Sequence, residues 1–227
     1  MPHEAWPDER PAAIAWDLDG TLVDSAGDLR TALNEVLVVQ GLEPCSLGAV
    51  RGMIGHGVAR LIMRGFAASG RELNAAQLRD IIPEFMRYYA RVAVNETRPF
   101  PGVRDTLQRL HGAGIPQVVC TNKPEAVSRH ILEGLGLDGL FAGVTGGDTT
   151  ARPKPDPLPL QTGLGQLGAE LSRCLMIGDS ETDVATARAA GVPVAVVGWG
   201  YSQVLPETLG ADYFLDDLFS QQPRWLA

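Results

Sequence analysis

Asp17 and Asp19 stand two residues apart at the end of an apolar run, in "AIAWDLDGTLVDS" (13–25). Burying carboxylates is costly unless a cation or a hydrogen-bond donor meets them. Three further polar clusters follow: Thr121-Asn122-Lys123, Lys154 inside "RPKPDP", and Asp179 with Asp183 in "GDSETD". Together these residue types suit phosphoryl chemistry. Asp17 can attack phosphorus and form an acyl phosphate, which splits a hydrolysis into two easier steps. Asp19 can protonate the leaving oxygen and later deprotonate the attacking water. Asp179 adds a carboxylate for Mg²⁺, a hard ion that takes one or two carboxylates and keeps several waters. Asp183, one helical turn further on, can bind the metal's waters or fix Lys154. Thr121 and Asn122 can donate hydrogen bonds to non-bridging phosphoryl oxygens. Lys154 then neutralises charge on Asp17 and on the transferring group, and its flanking prolines keep its backbone out of a helix.

Such groups need a scaffold that brings distant segments together. Short apolar runs recur at "AAIAW" before Asp17, "PQVVC" before Thr121, "GVTG" (143–146), "RCLMI" before Gly178 and "PVAVV" before Gly198. Runs of this length fit strands buried on both faces of a parallel sheet. Helical pattern lies between them at 101–113, 123–136, 156–168 and 181–191, with Asp156-Pro157 resembling a cap and first helical position. Alternation of this kind predicts an α/β fold with an open, doubly wound parallel sheet, in which ligands sit outside the carboxyl ends of the strands.

One gap breaks the rhythm. From Ser25 to Arg98 the pattern is helical throughout, and Leu29, Leu33, Val36 and Leu37 share one side of the first helix. The expected organisation is a Rossmann-like core of residues 1–24 and 99–227 with an inserted α-helical cap at 25–98. "RPFPG" (98–102) would be the return hinge, paired with the stretch after Asp24. Within the insert, Gly55-His56-Gly57 stands at a helix start, where backbone N–H groups can approach an anion. These residues are expected to close over the far end of a substrate, with Arg51 and Arg60 as further candidate partners.

Composition narrows the classes. The chain has 227 residues, a formal net charge of −8, and no apolar stretch long enough for a membrane span. An acidic chain without a lysine or arginine cluster argues against nucleic acid, and any anionic substrate must meet a locally positive pocket. The three cysteines are widely spaced, so neither a disulfide framework nor a zinc site is expected. "MPHEAWPDERPA" lacks the basic start and apolar centre of a secretory leader and reads as a short loose tail. The expected location is the cytoplasm, and nothing here chooses between monomer and homodimer.

"DLDGTLVDS", "TNKP", "RPKPDP" and "GDSETD" resemble, in order and spacing, the four motifs of haloacid-dehalogenase-superfamily phosphatases, over about residues 12–218. The resemblance implies that Asp17 is the nucleophile, Asp19 the acid and base, and Asp179 a ligand of Mg²⁺ together with Asp17 and the Asp19 backbone carbonyl. It further implies a small helical cap and a carboxylate at 19 that favours phosphate esters over haloacids. "TNKP", "GGD" (146–148), "KPDPLPL" and "GWGY" (198–201) are most similar to the bacterial phosphoglycolate phosphatase branch. Relatives acting on pyrophosphate or sugar phosphates, and mutases such as β-phosphoglucomutase, share much of the pattern. "CSLGAVR" (45–51) also has the C-x-x-G-x-x-R spacing of thiolate phosphatases, but lacks their preceding histidine and the hydroxyl after the arginine. A silent binding module is the remaining alternative, and it would have no need for mutually repelling carboxylates.

Overall fold

The computed structural model describes residues 6–226. Its centre is a six-stranded parallel sheet built from β1 (Ile14–Trp16), β4 (Gln117–Cys120), β5 (Gly143–Thr145), β6 (Leu175–Gly178), β7 (Val194–Val197) and β8 (Tyr213–Leu215), in the order β5-β4-β1-β6-β7-β8. The five expected strands are present, and β8 adds an edge strand with no counterpart in the sequence reading. Register is set by β1, where Ala15 pairs with Val118 on one side and Met176 on the other.

Alternate residues of each strand face opposite layers, as the period of two requires. Ile14, Trp16, Val119, Ile177 and Val197 pack with Leu107 of α5 (Val103–Gly112) and Leu132 of α6 (Glu125–Gly134). Ala15, Val118, Met176 and Val196 pack with Leu160 and Leu164 of α7 (Leu158–Gly165) and Ala187 of α8 (Glu181–Ala190) on the other face. Both faces are covered, which gives the doubly wound α/β core. The helix expected over 156–168 is shorter, and Asp156 Oδ1 accepts the Leu158 N–H at 3.0 Å just ahead of it.

Between β1 and β4 the chain makes four helices: α1 (Ala26–Val39), α2 (Leu47–Arg51), α3 (Gly57–Ala68) and α4 (Ala75–Val92). Leu29, Leu33, Val36 and Leu37 of α1 are all buried, against Phe66 of α3 and Phe85 and Tyr89 of α4. This second cluster also takes in Val127 and Ile131 of α6, so the insert is seated on the core through α6. The two chain crossings between insert and core form a short antiparallel ribbon, β2 (Val23–Asp24) with β3 (Arg98–Pro99), Val23 opposite Pro99. Sequence pattern gives no strand there, because two residues are too few to show a period. Buried Asp28 reinforces the crossing: it accepts the Glu96 and Thr97 N–H groups at 2.9 and 2.8 Å and the Thr97 hydroxyl at 2.6 Å.

The N-terminal expectation needs correcting. Residues 1–5 lie outside the described part, but Trp6 is buried and donates from Nε1 to the Gln221 carbonyl at 2.8 Å. Trp225 packs edge-on against it and donates to the Pro7 carbonyl, so an indole pair clasps both ends of the chain to the core. Among the described residues, no helix is long and apolar enough to cross a membrane.

Candidate active site

Three adjacent strands end at one place. β1 delivers Asp17, β4 delivers Thr121, and β6 delivers Asp179, with β1 in the middle. Ser180 starts α8 in a capping box, its side chain and that of Asp183 answering each other's backbone N–H groups, so Asp183 is turned back toward the strand ends. One carboxylate oxygen from each of Asp17, Asp179 and Asp183 lies within 4.8 Å of the others.

Lys154 sits beneath this cluster. Its ammonium donates to Asp17 Oδ1 at 2.8 Å, to Asp183 Oδ1 at 2.6 Å and to the Cys120 carbonyl at 2.8 Å, which uses all three protons. Burial alone would lower the lysine's pKa, but Asp17 and Asp183 more than reverse this and hold it charged. Asp183 Oδ2 accepts from the Asp179 and Ser180 N–H groups and from the Ser180 hydroxyl. Its role in this structure is therefore to hold Lys154 and to shape the turn after β6.

One ammonium cannot satisfy three buried carboxylates. Burial pushes Asp17 up to about 7, partly opposed by Lys154 and reinforced by Asp183. Asp179 is raised well above the usual carboxylate range, by burial first and then by Asp183 and Asp17. A hard divalent cation fits this donor set of converging oxygens, and Mg²⁺ held by Asp17 and Asp179 would supply the missing charge. Tight backbone packing aims Asp179: a Cβ on Gly20 or Gly200 would overlap its side chain.

Asp19 is engaged at both oxygens. Ser25 Oγ donates to Oδ1 at 2.5 Å, and Lys123 Nζ donates to Oδ2 at 2.6 Å. Lys123 also lies over the Tyr89 ring of α4, 4.8 Å from its centroid, which ties the core to the insert. The Asn122 amide donates to the Lys154 carbonyl at 3.1 Å and to the Gly55 carbonyl at 3.3 Å. Its protons thus join two loops here, whereas among the described residues the Thr121 hydroxyl accepts the Lys123 N–H and has no acceptor for its own proton. The "GGD" turn supports this segment from behind. Gly147 donates to the Lys123 carbonyl at 2.9 Å, a Cβ on it would overlap the Asn122 carbonyl, and Asp148 accepts the Glu125 N–H at the start of α6.

Asp17, Asp19, Thr121, Asn122 and Lys123 line one side of a cavity that opens to solvent. Gly55, Gly57 and the aliphatic side chains of Leu29, Ile54, Val58 and Leu61 line the other. Gly55 and Gly57 adopt φ of +105° and +81°, which bends the chain into α3 beside Asn122. His56 is not among the lining residues and is exposed to solvent. Arg51 turns away to Asp24, at 2.8 Å, and Arg60 is exposed. The thiolate-phosphatase spacing is likewise undone, since Cys45 is buried in the insert's core with its thiol toward the Gly65 carbonyl. Ser25, Lys123 and Tyr201 carry no signal of a role in the sequence, although each lies inside or directly beside one of its motifs.

The family model for haloacid dehalogenase-like hydrolases matches residues 14–197. A phosphoglycolate phosphatase of Rhodospirillum rubrum is 45% identical over 95% of this chain and 91% of its own. One of Caulobacter vibrioides is 43% identical over 88% and 85%. The crystal structure of a predicted phosphoglycolate phosphatase from Haemophilus somnus superposes with a TM-score of 0.85 at 32% identity, covering 91% of this chain and 94% of that one. With its four motifs gathered at the ends of three adjacent strands, the chain belongs to the haloacid dehalogenase-like hydrolase family.

Proposed function

We propose that this protein is a Mg²⁺-dependent phosphomonoesterase that hydrolyses 2-phosphoglycolate to glycolate and phosphate through an aspartyl phosphate on Asp17. The observation that carries the reading is the Asp17–Lys154–Asp183 contact, at 2.8 and 2.6 Å, beside Asp179 and below a small cavity. Asp17 attacks phosphorus while the ester P–O bond breaks and the leaving oxygen takes a proton from Asp19. Water then attacks the acyl phosphate and returns a proton to Asp19, which frees phosphate and Asp17. Lys154 offsets charge on Asp17 throughout, and the Thr121 hydroxyl donates to a phosphoryl oxygen. Asp17, Asp179 and the Asp19 carbonyl would hold Mg²⁺, which would supply positive charge for the phosphoryl oxygens in a chain that is otherwise acidic. The relatives' names and the lining of the cavity by Gly55 and Gly57 of the insert support a small substrate over a polymer. The expected location is the cytoplasm.

The test is phosphate release from a panel of small esters, scored by kcat/KM with and without Mg²⁺. 2-Phosphoglycolate should lead the panel, and the phosphoryl group should be trapped on wild type but not on Asp17→Asn. An isomerised sugar phosphate in place of free phosphate would mark a mutase instead.

A further inference from the structure

Lys123 is the one cation among the residues that line the cavity. It is 4% exposed, and Asp19 Oδ2 is the only hydrogen-bond acceptor of its ammonium among the described residues. A buried ammonium carries three donors and is costly to leave partly unsatisfied. The Tyr89 ring covers one side of it, and the cavity lies on another. Lys154 differs in each respect: all its protons are committed, and it does not line the cavity.

Resting on the phosphatase reading above, we infer that Lys123 is the specificity-determining residue, receiving a second anionic group of the substrate, its carboxylate, by exchanging it for Asp19. Lys123 contacts Asp19 and not Asp17, and it leans on a helix of the insert, so it stands where the non-phosphoryl end of a small ester must lie. Among the described residues no arginine lines that part of the wall, and His56 is exposed to solvent. The exchange has a second consequence. With Ser25 on one oxygen and Lys123 on the other, both Asp19 oxygens already accept a hydrogen bond before a leaving group arrives. A carboxylate that draws Lys123 away frees Oδ2 for proton transfer. An ester without a carboxylate leaves Lys123 on Asp19 and is turned over more slowly.

The experiment compares 2-phosphoglycolate with ethyl phosphate, the same two-carbon ester without the carboxylate, on the Mg²⁺-loaded enzyme. Wild type should prefer 2-phosphoglycolate. Lys123→Met should narrow the kcat/KM preference for 2-phosphoglycolate over ethyl phosphate by about 30- to 100-fold, the loss of one charge-assisted contact. Equal losses on both would make Lys123 a support for Asp19 or the phosphoryl group, and an unchanged preference would remove it from recognition; either overturns the inference. Should the Met variant fail to fold, wild type decides. Glycolate should then inhibit at least about tenfold more strongly than its neutral methyl ester, and parity overturns the anion subsite. A wild type that releases phosphate from neither ester refutes the phosphatase reading itself, a result distinct from all of these.

Discussion

The backbone N–H of Tyr201 donates to Asp179 Oδ2 at 2.6 Å. The same residue's hydroxyl donates to Asp24 Oδ1 at 2.6 Å and accepts the Ser25 N–H at 2.8 Å and the Ala26 N–H at 3.2 Å. One residue therefore joins the Asp179 carboxylate to the start of α1, where the insert leaves the core. Burial, then the bond to Asp24, pushes the phenol's pKa well above the usual tyrosine range, so it stays a donor.

Tyr201→Phe separates these two functions, because the N–H to Asp179 survives and the hydroxyl does not. Two N–H groups and a carboxylate lose a buried partner, so stability should fall by about 1–3 kcal/mol in urea unfolding. Ser25 also holds Asp19, and loosening it should lower kcat on an alkyl ester by about tenfold, a modest part of what acid–base help is worth. The Mg²⁺ concentration for half-maximal activity should stay within about twofold of wild type, since the Asp179 contact is retained. A metal requirement that moves as far as kcat would show that the hydroxyl acts on Asp179 as well.

Gly200→Ala should do the opposite. A Cβ at position 200 would overlap the Cβ, Cγ and Oδ2 of Asp179, and the Cβ, fixed to its own backbone, cannot rotate away. The displaced carboxylate should raise the Mg²⁺ requirement by about tenfold or more, an outer-contact effect of ordinary size for metal sites. Leaving-group dependence should be unchanged, because Asp19 and Ser25 are untouched. A metal titration that superposes on wild type would remove Asp179 from the ligands.

Cysteine and metal chemistry separate just as cleanly. Cys45, Cys120 and Cys174 are all buried. Burial pushes Cys120 up to about 11, so at pH 8 only about one thiol in a thousand is ionised there, and the thiolate is the reactive form. The native enzyme should keep its activity through iodoacetamide treatment at pH 8 and lose it on chelation, with recovery when Mg²⁺ returns. Inactivation by the alkylating agent, prevented by phosphate, would restore the thiolate alternative.

The parts legible in the sequence are those where one residue's type and its position after a strand decide its surroundings. Asp17, Asp179 and Lys154 each follow from a short motif, and the doubly wound core follows from apolar runs spaced by helical pattern. Contacts between motifs were not legible. Ser25 and Lys123 meet Asp19 only because the β2–β3 ribbon and the "GGD" turn bring them there, and neither feature has a period to read. The donors of Asn122 suit a phosphate. Its amide instead joins the Gly55 and Lys154 carbonyls, acceptors that only the folded chain supplies. The glycines beside His56 suggest an anion site, yet those same positive-φ turns leave its side chain in solvent. Trp6 and the β8 edge depend on the last third of the chain folding back, a tertiary relation with no local signal.

Asp19→Asn isolates the proton transfers from the nucleophilic attack. In the first step Asp19 must give a proton to the leaving oxygen, which matters greatly for an alkoxide and little for nitrophenolate. In the second it must take a proton from water, whatever ester was used. General acid–base help is worth about 10²–10⁴-fold in such a step. The amide oxygen can still accept from Ser25 or Lys123, so the local structure has the means to persist. The variant should therefore be nearly inactive on 2-phosphoglycolate while nitrophenyl phosphate still phosphorylates Asp17. The acyl phosphate then accumulates, and rapid mixing should show a burst of nitrophenol of about one equivalent followed by a slow steady state. A linear trace with equal losses on both esters and no trapped phosphoenzyme would reject Asp19 as the shared acid and base.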